Sequence, residues 1–385
     1  MLQRESVADV YSALTEARQS LLDFAQKYPN DIIPAYTGGV QAQPTSLGHF
    51  LTAYAEVYGR HANALEEAYG SLNLSPFGAA ALGTSSYPIN RQRLSDLLGF
   101  DRPIHNSYDA VLLSAPEINM RLTGAMAGIA ITTNQLVEDL GNQYYLTRPW
   151  LTIPPNLTGG STIMPQKLNP NGVNDTRNDV TAIFGSAAAY MFEAHNFESG
   201  YFGGGGGGDG GESVDNALRL AAKSLRQIAA MFSTFEFHKD RAMELVLNDY
   251  ATATELANTL QRVGNIPFRD AHHVAAGVVQ FGRTKGLRAS EIQFSDFEKV
   301  FEEVAEQHHM QQKRSGLTEQ QFKRALTPSN MVESAVGLGG PQPSSVTAMI
   351  EENAKSVEDD KAWLSKARSK LDAASKELDE AFAKL

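Results

Sequence analysis

The chain has 385 residues, 42% hydrophobic and 20% charged, enough to bury a sizeable core and more than one domain usually needs; disorder, collagen and small disulfide scaffolds are excluded. Thirty-three Lys and Arg against 44 Asp and Glu leave a net charge of −11, which offers no basic surface to a nucleic-acid backbone. With zero cysteines, disulfides, thiolate nucleophiles and cysteine-based zinc or iron–sulfur centres are ruled out together, a composition that fits a reducing cytoplasm without requiring one.

The opening MLQRESVADV holds two acids and no apolar core of a leader, and no run of 18 apolar residues occurs, so a soluble, unexported chain with no membrane contact is expected. Apolar residues recur at three- and four-residue spacing, whereas alternating Val, Ile and Thr runs bounded by hairpin turns are nearly absent; the spacing predicts an all-α fold. A first helix is expected over 4–28. After Pro44, one stripe of Leu47, Phe50, Leu51, Tyr54, Val57, Tyr58, His61 and Leu65 predicts a helix of about seven turns, with Thr45 or Ser46 as its cap. Such a length points to a bundle. Further long helices are expected over 109–142, 171–195 and 213–234, the last with Ser213 as N-cap.

Beyond residue 248 the pattern shifts to shorter helices at about 252–263, 267–280, 291–306 and 318–326, with Gly and Pro between them. The expected organisation is a long-helix bundle over 1–247, then a small helical domain with terminal helices over 248–385. The tail from 344 holds no Gly or Pro and is dense in Ala, Glu, Lys and Leu, predicting one or two exposed helices laced by ion pairs. The glycine run 203–208, followed by Asp209, Gly210 and Gly211, is read as a flexible lid, because it follows no strand and lacks the ending of a phosphate-binding loop.

The most informative segment is GGSTIMPQKLNP, residues 159–170. Its glycines give mobility, Ser161 and Thr162 supply hydroxyls, Lys167 supplies a cation, and Asn169 is placed to cap the next helix. These are the parts of an anion-binding lid; the plain alternative is a helix–helix connector. Asn174, Arg177 and Asn178 share one face of the following helix and either line the site or knit the bundle. His49 and His61 are assigned to packing, His272 and His273 to a helix outside the centre, and His308 and His309 to a polar stretch. No HxxxH or HExxH spacing occurs, so no metal site is expected.

Residues 159–170 resemble the signature loop of the fumarase/aspartase superfamily, written G-S-S-x-M-P-x-K-x-N-P. The resemblance makes Ser161 the general base that removes a proton from the carbon beside a carboxylate. Lys167 and Asn169 then hold the carboxylate and the spread negative charge of the intermediate, and Thr162 and Met164 complete the loop. Other stretches are similar to the argininosuccinate lyase branch, in order, over about 31–340. IPAYTGGVQAQPTSLGHFLTAYAE carries Thr37; NLSPFGAAALGTSSYPINRQRLSDLLGF is followed by Asn106, Ser107 and Asp109. NDYATATELANTLQRVGNIPFRDAHHVAAGVV and LTPSNMVESAVGLGGP resemble the branch's small C-terminal domain. Arg4 corresponds to the head of the first long helix. The implied binding set is therefore Arg4, Thr37, Asn106, Ser107, Thr162, Met164, Lys167 and Asn169. The resemblance also implies β-elimination of fumarate from a succinyl-type dicarboxylate, no metal or organic cofactor, and a homotetramer whose sites draw on three subunits.

Departures from the branch carry information too. Its Tyr-Thr-His becomes Tyr36, Thr37 and Gly38, so the histidine that is a candidate proton shuttle is missing; near Gln3 to Ser6 only Arg4 corresponds, and an arginine expected near Ser114 is absent. The stretch that recognises the arginine half of argininosuccinate is replaced by His195, Asn196, Phe197 and Glu198 ahead of the glycine run, which leaves His195 as a candidate contact. The expected substrate is an N-substituted aspartate other than argininosuccinate, or a succinate with a better leaving group. The branch's N-terminal domain would precede residue 1: the frame is truncated, or a second chain supplies that domain, or the protein works without it. A catalytically inactive scaffold or a fragment of a larger enzyme are the rival readings.

Overall fold

The computed structural model describes residues 2–195, 198–199 and 211–384; the glycine run, with the lid expected there, lies outside the described residues, as do Asn196 and Phe197. The first helix, α1 (Leu2–Lys27), leads into a hairpin of β1 (Ile32–Thr37) and β2 (Val40–Ser46), and then α2 (Leu47–Leu72). The hairpin escapes the alternation rule because two prolines interrupt it, Pro34 standing directly opposite Pro44. Its turn is Gly38–Gly39, with φ of +58° and +78°, the backbone of a tight two-residue turn that L side chains resist. Ser46 caps α2 by accepting the N–H of His49, while Thr45 turns to the His49 ring.

Short pairs follow: β3 (Leu74–Ser75) runs beside β4 (Arg102–Pro103), with α3 (Arg91–Leu97) between them. The helix expected over 109–142 is broken into α4 (Ser107–Leu112) and α5 (Ser114–Asn142). Pro116 explains the break, since it has no N–H for the Leu112 carbonyl and its ring crowds that carbonyl. Next come β5 (Leu151–Thr152), α6 (Asn171–Ala194) and α7 (Gly211–Thr234), then β6 (Glu236–Phe237), which pairs with β5. Ser213 is not the cap of α7; it lies inside the helix, its hydroxyl directed at Glu193 of α6. Nor does Asn169 cap α6, where Pro170 holds the N-cap position without a side-chain bond.

Five long helices, α1, α2, α5, α6 and α7, pack into one bundle core that includes Tyr11, Leu14, Tyr58, Leu65, Met126, Ile183, Leu225 and Phe232, and a sixth near the end of the described residues adds Val346, Ile350, Val357 and Leu364 to it. α5 and α6 are antiparallel: Arg177 early in α6 meets Glu138 late in α5, and Tyr190 late in α6 donates to the Pro116 carbonyl at the start of α5. A second core belongs to α9 (Ala253–Arg262), α10 (Phe268–Lys285), α11 (Phe294–Gln307) and α12 (Glu319–Ala325), reached through α8 (Lys239–Leu247) and left through α13 (Pro328–Ser334).

The tail is helical and carries ion pairs as expected, but one stripe of it is buried rather than exposed. It is one helix, α14 (Pro343–Phe382), and it packs on α1, α2 and α3 rather than on the small domain. Val346, Ile350, Asn353, Val357, Asp360 and Leu364 are buried at alternating four- and three-residue steps, a heptad stripe. Two polar positions in that stripe disguise it as an exposed helix.

Candidate functional site

Residues 159–170 form a closed loop. Gly159 and Asn169 exchange both backbone hydrogen bonds, at 2.9 and 2.8 Å, and so tie the two ends together. The Asn171 side chain packs so closely on Gly159 that a Cβ there would stand 2.5 Å from its amide nitrogen, which accounts for the glycine. Inside the loop, Ser161 Oγ accepts the N–H of Met164 at 3.1 Å and lies 3.4 Å from that of Ile163. The Met164 carbonyl in turn accepts the N–H of Lys167 at 3.0 Å. The Thr162, Met164 and Lys167 side chains are exposed, and so are Ile163 and Leu168.

Chemically, the loop presents an oxygen flanked by backbone donors, with a cation, Lys167, six positions further on and the start of α6 immediately behind it. The first turn of α6 carries no acid and no capping side chain, so the positive end of the helix dipole faces the loop uncompensated. Donors and positive potential favour an anion, whether a substrate carboxylate or the serine oxygen itself.

The chain does not bring all the expected site residues together. Thr37 sits beside the Gly38–Gly39 turn; its hairpin packs on α8 through Gln41, which donates to the Leu245 carbonyl at 3.2 Å, and α8 follows the β6 strand that pairs with β5 ahead of the loop. Thr37 and the loop thus share one end of the bundle. Asn106 and Ser107 belong to the other. Asn106 caps α4, accepting the N–H groups of Tyr108 and Asp109 at 2.8 and 3.2 Å, and Ser107 donates to the Leu82 carbonyl at 2.8 Å. Tyr108 reaches Ser199, beyond the far end of α6, at 2.9 Å. The two groups are therefore separated by the length of α6, 24 residues or roughly 36 Å.

Arg4 also lies at the second end, but as a structural residue. It is 1% exposed, its guanidinium donates to Asn73 at 2.8 Å and to the Leu98 carbonyl at 2.7 Å, and it lies over the Phe100 ring. Burial pulls its pKa below the usual arginine value, opposed by Tyr69 and Asp101. The substrate contact expected at Arg4 is replaced by a packed internal one. Arg177 pairs with Glu138 and so knits the bundle. His195, exposed at the end of α6, turns its ring to the Phe192 carbonyl.

Sequence reasoning missed what holds the root of the loop. Gln143 and Tyr144 accept the N–H groups of Leu151 and Ile153, and His238 lies 2.9 Å from Thr152, a pair 86 positions apart that no local motif signals. Among the described residues, no group of three or more His, Asp or Glu is placed to hold a metal ion, and no helix is long and apolar enough to cross a membrane.

Residues 1–185 match the family described as Lyase, and residues 250–333 the family described as Argininosuccinate lyase C-terminal. The argininosuccinate lyase of Methanoculleus marisnigri is 29% identical over 373 residues, covering 96% of this chain and 72% of that protein. Among solved structures, EDDS lyase in complex with formate superposes with a TM-score of 0.86 at 25% identity, covering 98% of this chain and 73% of its own. A variant of EDDS lyase with bound fumarate gives 0.84 at 26% identity, covering 99% and 74%.

Proposed function

The chain is a lyase of the fumarase/aspartase superfamily, on its argininosuccinate lyase-like branch, and from that premise we propose that it cleaves the carbon–nitrogen bond of an N-substituted aspartate by β-elimination, releasing fumarate. The observation that carries the reading is Ser161 Oγ, held by the backbone N–H groups of its own loop at the positive end of α6. Hydrogen bonds to an anion lower the cost of forming it, and serine needs such help to act as a base near neutral pH.

In this scheme Ser161 takes the proton from the carbon beside a substrate carboxylate. Lys167, Asn169 and the loop amides hold the aci-carboxylate that forms, stabilising charge where it develops. Collapse of that intermediate expels the nitrogen and leaves fumarate, the ligand named for the EDDS lyase variant. Thr162 and Met164 shape the loop around the substrate, and Thr37 contacts it from the hairpin.

Gly38 bears on the leaving group. The tight turn has no side chain where the branch carries its histidine, so the departing nitrogen is proposed to be one that leaves without strong acid catalysis.

The separation of Ser161 from Asn106 and Ser107 supports a homotetramer with shared sites. The α5 and α6 surfaces leave Ile131, Phe184, Met191 and Phe192 exposed at 52, 52, 41 and 75%, an apolar face suited to burial between copies. Copies packed head to tail along that face bring one chain's loop toward another's Asn106 and Ser107.

The test is ultraviolet absorbance of fumarate after the purified protein is mixed with a panel of N-substituted aspartates, argininosuccinate among them. Release is expected to vanish in Ser161→Ala. Silence across the panel from a folded assembly would favour the scaffold or fragment reading.

A further inference from the structure

The strand that runs into the signature loop is gripped from both sides. On one side stands the segment that opens α8. The Pro149 carbonyl accepts from Arg241 at 3.0 Å, and the Trp150 carbonyl accepts the N–H of His238 at 2.7 Å. Leu151 and Thr152 pair with Phe237 and Glu236. The Trp150 indole meets the Phe237 ring edge-on, and the Thr152 hydroxyl lies 2.9 Å from His238 Nε2. On the other side, Gln143 Oε1 and the Tyr144 hydroxyl accept the N–H groups of Leu151 and Ile153 at 3.0 and 2.9 Å.

The β5–β6 pairing and the His238 N–H are backbone contacts that survive substitution, whereas Arg241, Gln143 and Tyr144 hold the backbone of the strand through their side chains. The His238 ring is different: beside the Trp150–Phe237 ring contact, it is the group in this set that hydrogen-bonds a side chain of the strand, at the last paired residue before the loop. We infer that His238 is a positioning residue for the lyase reaction: by holding Thr152 through its ring and Trp150 through its N–H, it fixes the direction in which the chain enters the loop, and with it the position of Ser161.

The loop's other end is set by α6 and by the Gly159–Asn169 pair. From the other side the chain enters through β5 and the short turn Pro155–Leu157, so the hold on β5 adds to the constraint from α6. A small error there displaces the serine oxygen from the substrate carbon, and displacements of about 1 Å cost up to about a hundredfold in rate. The inference rests on Ser161 being the base, as proposed above.

Its test combines two readouts. In steady-state kinetics, His238→Ala is expected to lower kcat about tenfold and leave KM within about twofold, the signature of a misplaced catalytic group rather than a lost binding contact. Thr152→Val should do the same, with no further loss in the double variant. His238→Gln, whose amide reaches as far as Nε2, should restore kcat to within about threefold of the parent. The second readout needs no turnover: tryptic cleavage after the exposed Lys167, followed by fragment mass, should be about tenfold faster in His238→Ala and Thr152→Val and near the parent rate in His238→Gln. This arm separates failure of the positioning role from failure of the lyase reading, since it holds even if no tested substrate is eliminated. Unchanged kcat and cleavage in both loss variants would overturn the inference, as would a glutamine variant no better than alanine, or a lowered melting temperature with cleavage and kcat unaltered.

Discussion

Arg18 on α1 and Asp360 on α14 form an ion pair shut inside the bundle, their side chains 1% and 7% exposed. The guanidinium also donates to the Ala55 carbonyl and to Ser356, both at 3.1 Å, and the Tyr11 hydroxyl stands between Glu66 and Asp360 at 2.6 and 3.2 Å. Gly59 makes room for it, because a Cβ there would lie 2.7 Å from Arg18 Nη2. Burial raises the Asp360 pKa above the usual carboxylate value even with Arg18 beside it, so attraction does not fully offset desolvation. Asp360→Ala should therefore cost about 3–5 kcal/mol by stranding a buried cation, whereas Arg18→Met with Asp360→Leu should cost much less. Urea denaturation of the two single variants and the double variant measures this.

His61 predicts an acid sensitivity. Its ring lies 2.8 Å from Thr132 in the seam between α2 and α5, and burial, aided by Arg60, lowers its pKa below the ordinary histidine value. The unfolded chain thus binds a proton more readily than the folded one. Stability should be level above about pH 6.5 and fall as pH drops through the folded pKa. In His61→Gln, which cannot titrate, the change in urea midpoint between about pH 7.5 and about pH 5 should be smaller.

At Gly38 the φ of +58° makes the backbone the determinant, since an added Cβ would meet nothing within 4 Å. Gly38→Ala should cost about 1 kcal/mol of stability and Gly38→Asn less, because asparagine tolerates this conformation. Restoring the branch's histidine as Gly38→His should carry a penalty similar to alanine's. Thermal melts of the three variants give the order.

Chains inactivated at opposite ends of the bundle should complement one another. In a shared-site assembly, Ser161→Ala and Asn106→Ala chains, each inactive alone, are expected to regain part of the fumarate-releasing activity when refolded together. Mixtures no more active than either parent would argue that each chain forms its site unaided.

Periodicity revealed the long helices, and local chemistry narrowed the cap of α2 to Thr45 or Ser46, of which Ser46 holds the position. It failed where a side chain answered to something distant. The hairpin hid behind Pro34 and Pro44; the break at Leu113 came from Pro116, three positions on; α14 carried its stripe through Asn353 and Asp360, polar in composition yet buried. The loop was legible because its chemistry is contiguous in sequence. Arg4 was not, because whether an arginine faces solvent or Asn73 depends on residues 69 positions away.

The position of α14 has a consequence for synthesis. Arg18 leaves the ribosome 342 residues before Asp360, and α1 packs along α14 as well as α2 and α7. The groove for α14 on the nascent bundle must therefore stay open while those 342 residues are added, with Arg18 awaiting its partner. Contacts so distant in sequence carry the largest loop-closure cost and form late. Docking of α14 into that groove is therefore a late step in assembling the bundle, and until then the open groove leaves apolar surface exposed to misassembly.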